Sequence, residues 1–246
     1  MTILRPLVAC LVFGAIWWGV TAFAGIPGFM LPSPPAVAAA LADQRDLLFW
    51  NALITFSEIL LGLVFGTLAG GLAALAIAFS PRLQRWLMPI LVLSQAIPVF
   101  TLAPLLVLWF GFGMGSKIIM AVLIIFFPVT ANFADGLRRT EPGWLDLAHT
   151  MGASRIAILR HIRLPAALPA FASGLRVATA IAPIGAILGE YAGASSGLGY
   201  VMINANARMQ TDTMFAALFI LCAAAIALYL AVDGTLRRLL FWAPGG

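Results

Sequence analysis

Residues 146–169 read DLAHTMGASRIAILRHIRLPAALP. Three arginines, two histidines and an aspartate crowd into this stretch, although charged residues make up only 9% of the 246-residue chain. The chain as a whole is 63% hydrophobic. A soluble domain of this length carries roughly a quarter of its residues as charges. So apolar a chain is a membrane protein, and the quoted segment is a polar interruption between its spans. A net charge of +5 with scattered arginines is far from the basic patch that nucleic-acid binding needs.

A helix crossing the hydrocarbon core takes about 20 apolar residues. Six segments qualify, at about 7–24, 53–79, 87–110, 118–134, 167–189 and 214–232, and they form a single transmembrane domain over 1–246. The expected class is therefore an all-α integral membrane protein with six spans. Turn-forming stretches separate them: PGFMLPSPPA, SPRLQR, GFGMGSK and GASSGLGY. The first segment, with Arg5 before it, resembles a signal peptide, but its length suits a span. Cys10 and Cys222 lie in apolar runs without a C-x-x-C partner and read as small buried side chains.

Positive loops stay in the cytoplasm. Placing both termini inside puts Arg5, Arg82, Arg85, Arg138, Arg139, Arg155, Arg160, Arg163, Arg237 and Arg238 there, and leaves Arg45, Lys117 and Arg208 outside. Arg176 falls near the inner end of the fifth span. Residues 136–166 thus form a cytoplasmic loop between spans four and five.

Buried charge costs about 3 kcal/mol at mid-bilayer on insertion scales, so Glu58 and Glu190 face the protein interior, lie near an interface or are protonated, and both read as structural. Gly62, Gly66 and Gly70 recur every four residues and give one face of span two over to close helix approach. GASSG at 193–197 matches G-x-S-x-G, but both histidines, His149 and His161, belong to the opposite side of the membrane, so no nucleophile–base pair forms. Two histidines without a carboxylate cluster make no metal shell. The one lysine, Lys117, is not part of a Gly-Lys-[Ser/Thr] phosphate loop, so this chain binds neither ATP nor a metal. Its work is downhill or driven by another subunit.

The loop itself predicts two helices. EPGWLDLAHTMG places Pro142 in a first turn and Gly152 at a stop. SRIAILRHIRL follows and is expected to close at Pro165. Leu145, Ala148 and Met151 fall on one stripe, with Asp146 and His149 beside it. Two readings stand: a helix lying on anionic lipid with help from Arg155, Arg160 and Arg163, or a docking helix for a soluble partner.

The second reading gains from a resemblance. Permease subunits of bacterial ABC importers carry a cytoplasmic loop of the form E-A-A, three residues, Gly, nine residues, I-x-L-P. Here the same spacing reads Asp146-Leu147-Ala148, three residues, Gly152, nine residues, Ile162-Arg163-Leu164-Pro165, with Asp146 and Leu147 replacing the usual first two. LPSPPAV, LAPLLVLWFGFGMGSK and GASSGLGYVM extend the resemblance along nearly the whole chain. They are similar to the branch for nitrate, taurine, alkanesulfonates and thiamine-related pyrimidines, and most similar to its pyrimidine-precursor members.

The resemblance implies a type I importer permease (MetI-like) fold in the bacterial inner membrane, working by alternating access. A periplasmic binding protein delivers a small polar solute to a permease dimer, here of two identical chains. Two cytoplasmic ATPase subunits, which hold the ATP and Mg, drive it through the docking helix. Asp146, Leu147, Ala148, Gly152, Ile162, Leu164 and Pro165 then form the coupling contact, and Gly152→Asp is expected to uncouple transport. The resemblance also implies a pathway lined by spans three to five, which makes Ser94, Gln95, Thr101, Asn132 and Thr179 candidates. Gln95 leads, since nearby Pro98 frees a backbone carbonyl. Interhelical hydrogen bonding is the plain alternative for each. An ion-coupled secondary transporter using Glu58 and Glu190 is the competing class, and it leaves the Asp146–Pro165 spacing unexplained.

Overall fold

The computed structural model describes residues 4–243, and the side chains of Arg5 and Cys10 lie outside the described ones. Among these residues there are eleven α-helices and no strand. They are α1 (Leu4–Phe23), α2 (Pro34–Asp43), α3 (Arg45–Phe79), α4 (Pro81–Ser94), α5 (Val99–Phe110), α6 (Met114–Arg138), α7 (Pro142–Thr150), α8 (Arg155–Ile158), α9 (Leu164–Tyr191), α10 (Leu198–Ala207) and α11 (Thr211–Leu239). A π turn at Leu159–Arg163 joins α8 to α9.

The expected segments fall on helices, with the third interrupted at residues 95–98. Among the described residues α3, α6, α8–α9 and α11 are each long and apolar enough to cross a membrane, and the bent pair α4–α5 makes a fifth if it is one span. At 35 residues, α3 runs about 50 Å, well beyond a hydrocarbon core. The third segment departs from a straight span. Its two halves, α4 and α5, meet at 99° across a four-residue break. Pro98 causes the break: it has no N–H to give to the helix, and it pushes Ile97 out of the helical region. A hydropathy window cannot register this, since Ile97-Pro98-Val99 is as apolar as what surrounds it. Cys222 is exposed in the chain, where a buried side chain was expected.

The chain divides into two compact units. The first combines residues up to Phe56 with Ala194–Ala223. Here α10 starts at Gly197 with no cap of its own, and α3 supplies one. Asn51 Oδ1 accepts the Gly197 N–H at 2.7 Å, and Thr55 Oγ1 accepts the Leu198 N–H at 2.7 Å. Two orphan donors of a helix start are thereby satisfied by side chains one helical turn apart. Trp17 adds a stacked contact with Phe219, centroids 5.4 Å apart, and donates to the Pro32 carbonyl at 3.1 Å. Because both capped donors are buried, Asn51→Leu or Thr55→Val leaves one orphaned, at a cost of about 1–3 kcal/mol. Thermal denaturation of the purified protein is expected to begin earlier in either variant, but not in Thr235→Val, whose hydroxyl is exposed.

The second unit holds Ser57–Gly193 and residues from Ala224 onward. Its centre is α6, buried along most of its length against α9. The glycine stripe of α3 meets α6 as its spacing predicts. A Cβ at Gly62 would overlap that of Ala121, one at Gly66 would lie 2.7 Å from Ile125 Cγ2, and one at Gly70 3.0 Å from the Phe126 carbonyl. Backbones this close gain van der Waals packing where lipid supplies no hydrophobic drive. At the end of the unit nearest α7, Ala74 and Ile77 of α3, Leu91 of α4, Phe133 and Leu137 of α6 and Ala167 of α9 form one core cluster. Leu159 and Leu164 pack onto it.

Candidate functional site

The loop of residues 136–166 folds as a capped helix on a rigid stem. Pro142 occupies the first turn of α7, where its missing N–H costs nothing. The helix ends at a Schellman turn: the Gly152 N–H reaches the His149 carbonyl at 3.0 Å and the Ala153 N–H reaches the Ala148 carbonyl at 2.9 Å. Gly152 takes φ +72°, the left-handed conformation such a stop requires and glycine adopts without strain. Ser154 then caps α8 by accepting the Ala157 N–H at 3.2 Å.

From Arg155 the helix runs unbroken to Tyr191, 37 residues in all. This corrects the expectation that Pro165 closes a separate short helix. Pro165 lies at the start of α9, and the π turn before it absorbs the proline. The Leu164 N–H bonds five residues back to the Leu159 carbonyl, widening the helix where the ring would otherwise collide with the preceding turn. Ile162 and Leu164 are half-buried on the stem, and Pro165 is exposed.

The apolar stripe of α7 also differs from the expected one. Ala148 is buried and Leu145 half-buried, so both face the chain's own body. The outward face is Trp144, Leu147 and Met151, 53%, 61% and 77% exposed, with Asp146 and His149 exposed beside it. Trp144 escaped the sequence reading, although its spacing to Leu147 and Met151 is helical. A capped helix that shows a tryptophan, a leucine and a methionine to solvent is a surface made to be covered.

Residues 62–240 match the family described as "Binding-protein-dependent transport system inner membrane component". A "Probable ABC transporter permease protein" of Haemophilus influenzae is 53% identical over 239 residues, 97% of this chain and 98% of its own. The chain belongs to the binding-protein-dependent permease family of ABC importers. The "Formylaminopyrimidine transport permease protein ThiX" of Halalkalibacterium halodurans is 37% identical, covering 97% of this chain and 96% of its own. A chain of the MetNI methionine ABC transporter in an inward-facing conformation superposes with TM-score 0.69 at 19% identity, over 80% of this chain and 97% of that one. The fold is thus that of the type I importer permeases, and an importer permease works with an ATPase and a binding protein.

Inside the permease, the two acidic residues singled out in the sequence come together. Glu58 Oε1 lies 2.8 Å from Lys117 Nζ, with the side chains 0% and 6% exposed. Glu190, 1% exposed, is near enough for its carboxylate to interact with Glu58. By loop counting, Lys117 falls in the outer loop before span four. It is instead buried on α6, and Gly189 of α9 packs on it so tightly that a Cβ there would stand 3.0 Å from the Lys117 Cα. The ion pair ties α3 to α6, with the Glu190 side chain of α9 beside it.

The pathway candidates of the permease are dispersed. Ser94, Gln95 and Thr101 are exposed around the α4–α5 bend, Asn132 is half-buried on α6 and Thr179 is buried on α9. Most are bonded locally: Ser94 to the Leu91 carbonyl, Thr101 to that of Pro98, Asn132 to that of Pro128, and Thr179 to that of Leu175. Among the described residues Gln95 reaches only the neighbouring Ser94 hydroxyl, at 3.4 Å.

Proposed function

We propose that this permease acts as a homodimer in the bacterial inner membrane and imports a thiamine-precursor pyrimidine of the hydroxymethylpyrimidine type, handed over by a periplasmic binding protein. Taurine, an alkanesulfonate or nitrate is the alternative cargo in the same branch. Two cytoplasmic ATPase subunits bind ATP and Mg and drive the cycle. The observation that carries the coupling mechanism is the continuity of α8 with α9. A partner seated on Trp144, Leu147 and Met151 moves α7, and the single helix from Arg155 to Tyr191 transmits that movement through the thickness of the membrane. The coupling residues Asp146, Leu147, Ala148, Gly152, Ile162, Leu164 and Pro165 divide into an outward contact, a turn and a stem. The pyrimidine reading rests on the ThiX relative and on the sequence resemblance.

Two measurements test this. Uptake into vesicles must require ATP, the ATPase and the binding protein together; transport driven by a pH gradient alone overturns the reading. Ligand binding to the companion binding protein, with pyrimidines set against taurine, alkanesulfonates and nitrate, decides the cargo. Within the pathway, Gln95 is the polar side chain least engaged with its own helix. Gln95→Ala is expected to raise the KM for uptake while ATPase assembly stays intact, and unchanged uptake removes Gln95 from the pathway.

A further inference from the structure

On the inner side of α7, away from its exposed apolar face, lies a cavity of about 350 Å³ between the end of α3 and the α7–α8 segment. Its lining is divided by chemistry. Phe79, Ile158 and Leu159 form an apolar wall, and Arg155 and Arg163 form a cationic one, with the edge of His149 also reaching the lining. Arg163 Nε is buried and has no hydrogen-bond partner among the described residues. Among the described residues neither arginine pairs with a carboxylate, although Glu141 and Asp146 sit exposed on the same segment. Elsewhere in this unit the fold treats a partly buried guanidinium differently: Arg176 Nε meets Asp233 at 2.6 Å. An orphaned buried donor on a charged group is costly, so Arg163 Nε is placed for an acceptor that the described residues do not provide.

Guanidinium groups match phosphate oxygens in geometry and charge. A free anion would use the arginines and gain nothing from the facing wall of Phe79, Ile158 and Leu159. An amphiphile uses both. The positive residues of this loop also place the cavity at the cytoplasmic surface, where anionic headgroups lie and basic pockets between helices hold them.

We propose that the cavity is a binding site for an anionic phospholipid of the cytoplasmic leaflet, with its phosphate on Arg163 and Arg155 and its glycerol and upper acyl region against Phe79, Ile158 and Leu159. The lipid bridges the end of α3 and the base of the coupling helix, so it stiffens the seat from which α7 moves. This holds whatever solute is carried.

The test counts phosphatidylglycerol retained per permease chain by native mass spectrometry of the assembled transporter, after stripping and re-addition of phosphatidylglycerol or phosphatidylcholine. The wild type is expected to retain phosphatidylglycerol selectively, and R155Q/R163Q to lower that retention at least about tenfold, the loss that one charge-assisted hydrogen bond accounts for. Arg155 is exposed, so Arg155→Gln alone poses no threat to folding and is expected to weaken retention in the same direction. R138Q/R139Q removes equal charge from exposed positions and is expected to leave it unchanged. Equal retention by wild type and R155Q/R163Q overturns the proposal, as does equal loss in R138Q/R139Q. Displacement of the lipid by millimolar inorganic phosphate assigns the cavity to the free anion and overturns the lipid. A site that holds lipid in the isolated permease but not in the assembled transporter belongs to an acidic side chain of the ATPase, which overturns it equally.

Discussion

Lys117→Met is expected to be the most damaging single substitution in the chain. It leaves Glu58, 0% exposed, and Glu190, 1% exposed, buried without the Lys117 ammonium. Removing one partner of a buried ion pair costs about 3–5 kcal/mol, because the remaining charge has neither water nor counter-ion. Two carboxylates and one ammonium make the effect asymmetric. Glu58→Gln keeps an oxygen that accepts from Lys117 Nζ and leaves Glu190 to balance the charge, so it is expected to be tolerated. The variant Glu58→Leu with Lys117→Met is expected to restore only part of the lost stability, since the Glu190 carboxyl stays buried after the Lys117 ammonium is gone, and adding Glu190→Gln is expected to bring further recovery. Thermal denaturation of the detergent-purified permease, followed by loss of the monodisperse species, reads all four. If Lys117→Met and Glu58→Gln denature alike, the ammonium is not the hub of the cluster.

The sequence revealed the parts of this molecule that repeat at helical spacing or follow a fixed motif. Gly62, Gly66 and Gly70 announced a close helix contact because their period is that of an α-helix, and α6 is found there. The Asp146–Pro165 spacing announced the loop, and Gly152 its turn. Other features depend on where chain segments distant in sequence end up. Lys117 and Glu58 are 59 positions apart, and loop counting assigns a lysine near a helix start to water, since nothing in the local pattern shows a carboxylate waiting on another helix. Asn51 and Thr55 read as ordinary polar residues in a span until α10 is folded against them. Pro165 illustrates the opposite error. Proline signals a helix boundary by its local chemistry, but one π turn upstream is enough to carry the helix past it, and no residue-level rule reports whether the tertiary fold will favour that turn. The outward face of α7 was misassigned for a related reason. Stripes one residue apart on a short helix differ by about 100°, and only packing decides which of them is covered.

The Gly152 turn gives the second large effect, and the structure sharpens what its substitution means. A Cβ at Gly152 meets nothing within 4 Å, so bulk alone does not exclude a side chain. The φ of +72° does. For an L-residue the left-handed region costs about 1–2 kcal/mol, and a β-branched residue is the worst case. Gly152→Val is therefore expected to abandon the Schellman turn, release the carbonyls of Ala148 and His149, and change the angle between α7 and the stem. ATP-driven uptake is expected to fall more than about tenfold, the ratio that 1.4 kcal/mol corresponds to. Asparagine visits the left-handed region readily, so Gly152→Asn is expected to retain most of the uptake. Gly152→Asp separates turn from seat: it tolerates the same backbone, yet adds a charge next to Met151, part of the face offered to the ATPase. Its uptake is expected below that of the asparagine variant, with weaker ATPase association in pull-down and no loss of thermal stability. Equal uptake by the valine and asparagine variants means that the turn at Gly152 does not set the angle of the lever, and that force reaches α9 by another route.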